Sequence, residues 1–358
     1  MAIFSVSDFR QFIELNPQES YWMGMDVHKR NYYVALCDSE GNYYTWSAPA
    51  DPKKLIETIR HYNILINCAC YEAGPTGFSL ARSLIEEGIP CIVGAPNKIP
   101  RSVSPGSKTD RLDCIKLARY ASKGLIRSIA IPSSKSESER ALLRRRHQLT
   151  DAIRQAKQRI KAVFLFHGMD EPAELKHWSK NSRKRLLQLS CSKNLKLALE
   201  SHTRQLESLI SEQKIIEEQL KVIAQKDAHR EIVDALKTVP GVGFITAITF
   251  HLELFEPARF KREEEVASYL GLAPTVKHSG EHHPRGYLVP VGQQRLRSLL
   301  IEASWMWVAN DEYAAAMYRK IFSKSQIPQK AIAAVARKLA IILWRLSIEK
   351  RAYRKMAA

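Results

Sequence analysis

The chain has 358 residues and a formal net charge of +18. A single hydrophobic core seldom grows beyond about 250 residues, so this length indicates more than one domain. The charge indicates a polyanionic partner, most simply nucleic acid. No charged and apolar leader opens the sequence, and the late apolar stretch 331–346 contains Arg337 and Lys338. We therefore expect no membrane partner and a cytoplasmic protein.

The first 133 residues show an alternating pattern of strands and helices. The predicted elements, in chain order, are a helix at about 6–15, strands at 21–27, 31–37 and 43–47, a helix at 52–62, a strand at 64–72, a helix at 76–87, a strand at 91–94 and a helix at 108–123. Turn residues at 38–42 predict that the first three strands form an antiparallel meander. Three such strands followed by alternating helices and strands are the order of the ribonuclease H fold.

Four acidic residues stand at informative points of this pattern. Asp26 lies inside the apolar run 21–27, where an unpaired carboxylate would cost several kcal/mol. Glu72 ends a second apolar run, and Asp110 and Asp113 share one face of a helix. Taken singly, Glu72 fits an ordinary strand-end charge and Asp110 a first-turn helix acid. Together, the four predict a site for divalent cations, which would reverse the repulsion between the carboxylates.

Cysteine and histidine patterns give no sign of a zinc site. The six cysteines form no C-x-x-C pair, so we expect reduced thiols. His278, His282 and His283 are close in sequence, but their neighbourhood offers no matching set of ligands. A polar or phosphate-contacting loop is the favoured interpretation of that segment.

Two heptad helices are predicted in the middle of the chain, at 136–167 and 194–225. The first carries Leu142, Leu149, Ile153, Ala156, Ile160 and Val163, and the second carries Leu199, Leu206, Leu209, Ile216, Leu220 and Ile223, with His202 and Gln213 as polar exceptions. Such a pair predicts an antiparallel coiled-coil arm or an oligomer contact. The first helix carries nine Lys and Arg against three acids over 135–168. A solvated face is one explanation, but Arg144, Arg145 and Arg146 together favour nucleic-acid contact.

The last third of the sequence is helical and basic. The turn 238–243 resembles a helix-hairpin-helix turn, in which Gly241 and Gly243 expose backbone N–H groups to a phosphate. A polar loop or hairpin at 275–292 contains Arg285, and the next helix presents Arg295 and Arg297. From residue 314 onward there are eleven Lys and Arg and one acid. These features predict further contacts with nucleic acid.

Five motifs occur in a characteristic order and run through nearly the whole chain. They are Gly24-Met-Asp-Val-His-Lys29, Tyr71-Glu-Ala-Gly-Pro-Thr-Gly77, Lys108-Thr-Asp-Arg-Leu-Asp113, Val239-Pro-Gly-Val-Gly243 and Tyr269-Leu-Gly-Leu-Ala-Pro274, the last followed by Ser279-Gly280. In this respect the chain resembles the DEDD transposases, the insertion-sequence family that includes Piv-type DNA invertases and bridge-RNA-guided recombinases. The resemblance implies an α/β, RuvC-like domain at 1–133, a coiled-coil region at 134–228 and a mostly helical transposase domain at 229–358.

The same resemblance implies a site and its partners. Asp26, Glu72, Asp110 and Asp113 would hold two Mg²⁺ ions, with Mn²⁺ as a substitute, and Ser279 would form a covalent phosphoserine with DNA. The implied partners are donor and target DNA, a structured bridge RNA, and further copies of the chain in a tetramer built as a dimer of dimers. The implied location is the nucleoid of a bacterium or archaeon.

Other interpretations of the residues stay open. Without the family pattern, Ser279-Gly280 would be taken for a simple turn, and Tyr287 is a competing nucleophile in the same loop. His278, Arg285 and Arg295 stand near enough in sequence to activate the serine. The alternative functions are a metal-dependent Holliday-junction nuclease that uses water, and a nucleic-acid-binding protein whose acids are structural.

Overall fold

A computed structural model of the protein describes residues 6–14, 20–100, 109–274, 288 and 292–355. The chain divides into two compact units, Met1–Ser133 and Ser134–Ala358. Within the described ranges, no helix combines the length and the apolar character needed to cross a bilayer.

The first unit is built on one five-stranded sheet with the order β3-β2-β1-β4-β5. Its elements are α1 (Val6–Glu14), β1 (Ser20–Val27), β2 (Asn31–Cys37), β3 (Tyr43–Pro49), α2 (Pro52–His61), β4 (Leu65–Glu72), α3 (Ser79–Glu86), β5 (Cys91–Gly94) and α4 (Asp110–Ser122). The first three strands pair antiparallel, whereas β4 runs parallel to both β1 and β5. The predicted mixed α/β region and its antiparallel meander are therefore confirmed.

The central strand β1 has two different faces. Tyr21, Met23 and Met25 point into the main core of this unit and are almost fully buried. Because side chains alternate along a strand, Gly24 and Asp26 face the opposite side of the sheet. Helix α4 packs on that side, and its backbone lies directly over Gly24. The glycine thus lets α4 approach the strand that carries Asp26.

One predicted boundary in this unit differs from the structure. The sequence predicted a helix from about residue 76, but α3 begins at Ser79. Gly77 has a φ of +70°, in the left-handed region, so the chain is still turning at this point. The segment between β4 and α3 is therefore a loop, and it lines the cleft described below.

The second unit is helical throughout its described elements. These are α5 (Ser134–Phe166), α6 (Lys180–Leu186), α7 (Lys193–Ala224), α8 (Asp227–Lys237), α9 (Phe244–Leu254), α10 (Glu263–Tyr269), α11 (Gln294–Asn310), α12 (Glu312–Ser325) and α13 (Pro328–Glu349), with 3₁₀ turns at Ala173–Lys176 and Pro257–Arg259. The predicted helical region after the α/β domain is thus confirmed. The division into a middle and a C-terminal domain within this unit stays a prediction.

Helices α5 and α7 lie antiparallel and close together. Arg146 pairs with Glu217 at 2.9 Å, and one turn further along α5, Thr150 accepts a hydrogen bond from Gln213 at 2.8 Å. The contacting residues have falling numbers along α7 as their numbers rise along α5. The two helices therefore run antiparallel. The coiled-coil interpretation of this pair stays a prediction.

The buried positions of this pair differ in part from the predicted heptads. The buried residues of the cluster between the two helices and the loop that joins them are Ile153, Ala156, Ile160, Phe164, Leu175, Leu186, Leu199 and Leu206. Phe164 is fully buried, whereas the predicted Val163 is only partly buried. An α-helix drifts about 20° per heptad against a strict seven-residue repeat, which moves the buried stripe by one position here. At the other end of α5, Leu143 rather than Leu142 is buried, and it joins the C-terminal core.

The C-terminal core gathers α8 to α13 around Trp307, whose side chain is fully buried. The last described residues close over this core. The backbone N–H of Tyr353 donates to Oγ1 of Thr238 at 2.8 Å, and its hydroxyl donates to Oδ2 of Asp311 at 3.1 Å. Asp311 also caps α12 by accepting from the N–H of Ala314. Tyr353 therefore connects the segment after α13 to the turn after α8 and to the start of α12.

Candidate active site

A cleft of about 980 Å³ opens in the first unit where the ends of β1 and β4 meet the first turn of α4. Its lining includes every one of the four predicted acids: Asp26, Glu72, Asp110 and Asp113. The loop between β4 and α3 forms another wall, with Gly74, Pro75, Thr76 and Gly77. Acids that lie up to 87 positions apart in the sequence, Asp26 and Asp113, thus share one cleft.

Sheet register brings the first two acids to one edge. Met25 of β1 pairs with Tyr71 of the parallel strand β4. The residues that follow them, Asp26 and Glu72, therefore stand side by side at the carboxyl ends of these strands. The Asp26 side chain is 29% exposed, and Glu72 is exposed.

The first turn of α4 supplies the other two acids. Thr109 caps this helix by accepting a hydrogen bond from the N–H of Leu112. Asp110 and Asp113 follow within the first turn, three residues apart, and so project from one face. The close packing of α4 on Gly24 directs this turn toward Asp26.

His28 lies between two of the acids. Its Nε2 atom is 3.2 Å from Oδ2 of Asp26 and 3.7 Å from Oδ2 of Asp110. One possible ligand atom from each of these three residues lies within 4.8 Å of the others. Glu72 and Asp113 line the same cleft outside that close group.

The carboxyl group of Asp26 is held in an unfavourable electrostatic setting. Burial raises its pKa above the ordinary value of 3.8, and Asp110 and Asp113 raise it further. His28 opposes these effects through its charge and its hydrogen bond. A cation in the cleft would act in the same direction as His28, because it stabilises the ionised carboxylates.

The sequence predictions did not assign a role to His28. It follows β1 directly, and its backbone N–H donates to the carbonyl oxygen of Asn31 in the turn between β1 and β2. Asp26 and His28 are two residues apart in an extended segment and so face the same side. This spacing is the sequence signal that was available, but it does not by itself indicate which acids the imidazole reaches.

The donor set of this cleft fits a divalent cation. Carboxylate oxygens are the ligands that Mg²⁺ and Mn²⁺ prefer, and imidazole suits Mn²⁺ and other transition metals as well. Asp26 is only partly exposed and Asp110 is at the surface, so a bound ion would have protein ligands on one side and solvent on the other. Such a site leaves positions free for a phosphate.

The predicted serine loop lies outside the described residues. This applies to Ser279 and to its neighbours in the same segment, His278, Arg285 and Tyr287. Their roles stay predictions.

The three consecutive arginines of α5 have different surroundings. Nε of Arg144 lies 3.5 Å from Oε1 of the buried Glu253, and Arg145 is exposed. Nε of Arg146 donates to Glu217 of α7 at 2.9 Å. Arg146 therefore has a structural contact between helices, in addition to any contact with nucleic acid.

The remaining predicted nucleic-acid contacts are spread over the second unit. Arg295 is exposed in the first turn of α11, whereas Arg297 donates to the carbonyl oxygen of Gly271 at 3.1 Å. Gly243 is the N-cap residue of α9. Gly241 has a φ of +83°, and a Cβ atom there would lie 2.7 Å from the backbone nitrogen of Trp307. Close packing on α11 is thus one reason for a glycine at this position.

Comparison with known proteins identifies the family. A transposase family model, of the DEDD type and named for IS110, matches residues 23–167. The model of the IS116/IS110/IS902 transposase family matches residues 233–319. Together the two matches cover more than half of the chain, and the first includes the whole acidic cleft.

Full-length relatives agree with these models. The Sinorhizobium fredii protein y4qE is 28% identical over 92% of this chain and 89% of its own length. The transposase for insertion sequence element IS1533 of Leptospira borgpetersenii is 29% identical over 79% of this chain and 84% of its own length. The pilin gene-inverting protein of Moraxella bovis is 26% identical over 71% of this chain and 70% of its own length. The chain belongs to the IS110 family of DEDD transposases, a family of enzymes that cleave and rejoin DNA and use divalent metal.

Proposed function

We propose that the acidic cleft is a Mg²⁺-dependent active site for DNA strand cleavage in a recombinase that moves a mobile element. One observation carries this proposal: possible ligand atoms of Asp26, His28 and Asp110 lie within 4.8 Å of one another. Glu72 and Asp113 line the same cleft and add negative charge. Membership of a DEDD transposase family supports DNA as the substrate.

The acids have distinct places in this proposal. Asp26 and Asp110 would hold the cation directly, and Glu72 and Asp113 would complete its coordination or bind a second ion. His28 orients Asp26 through the contact at 3.2 Å and limits the repulsion between Asp26 and Asp110. A divalent ion bound here supplies a Lewis acid that polarises a phosphate oxygen.

Ser279 is the proposed nucleophile. Its Oγ forms a bond to phosphorus while the bond from phosphorus to a deoxyribose oxygen breaks, and the departing oxygen takes up a proton as the serine loses one. A deoxyribose hydroxyl of another strand then attacks the phosphoserine and releases the serine. Because one phosphoester replaces another in each step, strands are exchanged without net hydrolysis. The order of the family's motifs in the sequence supports this assignment.

The proposed partners follow from charge and family. A net charge of +18 suits a protein that binds the polyanionic backbone of nucleic acid. We propose that a structured bridge RNA guides donor and target DNA, and that the active form is a tetramer built as a dimer of dimers. Several strands must be cut together in recombination, which favours an oligomer.

Covalent trapping tests the proposal. The full chain is incubated with duplex DNA from the ends of its own element, nicked so that the cut fragment diffuses away, and with RNA transcribed from the element. We expect a Mg²⁺-dependent protein–DNA adduct with the wild-type protein and with Tyr287→Phe, and none with Ser279→Ala.

Other results would contradict specific parts of the proposal. Mg²⁺-dependent cutting without an adduct in the wild-type protein would replace the serine mechanism with a nuclease that uses water. An adduct mapped to tyrosine would replace Ser279 as the nucleophile. Binding without any scission in Mg²⁺ or Mn²⁺ would show that the acids are structural.

A further inference from the structure

A second polar cleft, of about 360 Å³, lies in the helical unit. It is lined by Arg144 of α5 and by Gly292, Gln293, Gln294 and Arg295 at the start of α11. A smaller cavity of about 20 Å³ shares Arg144 and Arg295 with it. Two arginines from helices far apart in sequence therefore line one polar cleft.

A buried carboxylate holds one of these arginines. The Glu253 side chain is only 4% exposed, and its Oε2 accepts from Nε and Nη2 of Arg140 at 3.1 and 2.9 Å. Its other oxygen, Oε1, lies 3.5 Å from Nε of Arg144. Arg140 and Arg144 are one helical turn apart on α5, so one carboxylate contacts both. Glu253 thus fixes where Arg144 projects.

The charges at this cleft do not balance. Arg140 is buried and donates both Nε and Nη2 to Oε2 of Glu253, so the single negative charge of Glu253 is already neutralised. Arg144 therefore contributes an excess positive charge, and its side chain is 44% exposed. No ion pair joins Arg295 to an acid in the described part of the chain, and Arg295 is exposed as well.

Neighbouring arginines are engaged differently. Arg146 pairs with Glu217 between α5 and α7, and Arg297 donates to the carbonyl oxygen of Gly271. Both contacts use the guanidinium group to connect parts of the helical unit. Arg144 and Arg295 differ because their surplus charge faces a cleft that has room for a ligand.

We propose that Arg144 and Arg295 clamp one phosphate of a nucleic-acid backbone, with Glu253 as the positioning residue for Arg144. This inference rests on the proposed function in taking nucleic acid as the ligand. A guanidinium group presents N–H donors in a planar fork that matches phosphate oxygens, and an anion between two such groups removes their mutual repulsion. The N-terminal turn of α11 adds favourable dipoles at the same cleft.

The salt dependence of DNA binding tests the clamp. The full chain and its variants are titrated with a short fluorescent DNA duplex at several salt concentrations. Each neutralised phosphate contributes roughly one unit to the slope of log affinity against log salt. Because both arginines hold the same phosphate, we expect Arg144→Ala and Arg295→Ala each to weaken binding, and the double variant to lower the slope by roughly one unit.

Two independent surface contacts would give a different result. The double variant would then lower the slope by roughly two units, as the sum of the single changes, and the clamp would be wrong. An unchanged slope and affinity in the double variant would also overturn it. Arg145→Ala, combined with Arg295→Ala, is the matched control, because Arg145 is exposed next to Arg144 and does not line the cleft. That combination should show additive changes.

Glu253→Gln tests the positioning role. The amide keeps the shape of the side chain but loses its charge, so unfolding by urea is measured in parallel. We expect Glu253→Gln to weaken DNA binding several-fold in the wild-type background and to have no further effect in the Arg144→Ala background. An equal loss of affinity in both backgrounds would assign Glu253 to fold stability alone.

The clamp and the proposed function fail in different ways. If the acidic cleft is inactive, the wild-type protein will not cut DNA in Mg²⁺. The Arg144→Ala, Arg295→Ala double variant will still lower the salt slope by roughly one unit. If the clamp is wrong, cutting by the wild-type protein is unaffected, and the double variant shows either additive slope changes or an unchanged slope and affinity.

Discussion

Gly24 of β1 lies directly against Cys114 of α4: a Cβ atom at Gly24 would be 2.1 Å from the carbonyl oxygen of Cys114. No side chain can occupy that space while α4 stays in place. The same helix carries Asp110 and Asp113 in its first turn, opposite Asp26. The geometry of the acidic cleft therefore depends on a residue that has no functional group.

Gly24→Ala should displace α4 and disturb the cleft. Overpacking of this kind costs about 1–3 kcal/mol, so we expect the free energy of unfolding to fall by that amount and divalent-ion affinity to fall with it. Urea denaturation and Mn²⁺ titration measure the two effects. Gly74→Ala is the control, because a Cβ atom there would meet only the carbonyl oxygen of Glu72, at 3.9 Å. Equal stability of the two variants would contradict the packing argument.

Asp26→Asn should abolish strand cleavage and leave nucleic-acid affinity near that of the wild type. The raised pKa of Asp26 shows that its charge is disfavoured without a cation, so removing the charge should not destabilise the fold. Mg²⁺ should raise the melting temperature of the wild-type protein but not of this variant, because only a ligand that binds the folded state stabilises it.

The control for this prediction is Asp234→Asn, at an exposed acid that pairs with Lys237. It should keep both cleavage and the effect of Mg²⁺ on melting. Normal cleavage by Asp26→Asn in Mg²⁺ would refute the assignment of the acidic cleft.

His251 should make the stability of the helical unit depend on pH. Burial, and next to it the charge of His229, lower the pKa of His251 from 6.5 to about 4, and Glu139 opposes the shift. Nε2 of His251 lies 2.8 Å from Nδ1 of His229. Between pH 4 and 6.5 the unfolded chain thus binds a proton that the folded chain does not. Stability is therefore present above pH 6.5 and lost as the pH falls toward 4, by about 2–3 kcal/mol.

Urea denaturation between pH 4.5 and 7 measures this effect. The slope of the unfolding free energy against pH should correspond to the uptake of about one proton per molecule on unfolding. His251→Gln should have a flatter dependence on pH than the wild type, whereas His167→Gln, at an exposed histidine of the same unit, should follow the wild type. Identical slopes for wild type and His251→Gln would show that other groups cause the acid sensitivity.

Subunit mixing tests whether each active site is shared between copies of the chain. Asp26→Asn and Ser279→Ala should each be inactive alone. If one subunit supplies the acids and another supplies the serine, a mixture of the two variants should regain part of the wild-type recombination, measured on paired donor and target DNA. A mixture as inactive as either variant would place both groups in one subunit.

Local periodicity was sufficient to predict much of the first unit. The apolar run 21–27 predicted a strand that contains Asp26, and the three-residue spacing of Asp110 and Asp113 predicted a shared helix face. Both depend on geometry within a few residues of chain. The start of α3 was predicted too early, because the turn at Gly77 interrupts a pattern that otherwise suits a helix.

Contacts between distant segments were beyond such reasoning. The position of His28 between Asp26 and Asp110 depends on how closely α4 approaches the sheet, which follows from Gly24 and the packing around it. The pairing of Arg146 with Glu217 depends on the relative stagger of α5 and α7. Heptad spacing predicts that two helices associate, but it leaves open which charged residues then face each other.

The contacts of Tyr353 have a consequence for how the chain folds during synthesis. The acidic cleft needs only residues of the first unit, so it can form while the ribosome is still adding the helices that follow. The contacts of Tyr353 with Thr238 and Asp311 can form only after helices α8 to α13 have been translated. A truncated product that stops before Tyr353 would therefore keep the acids of the cleft and lack the hydrogen bonds from Tyr353 to Thr238 and Asp311 in the helical unit.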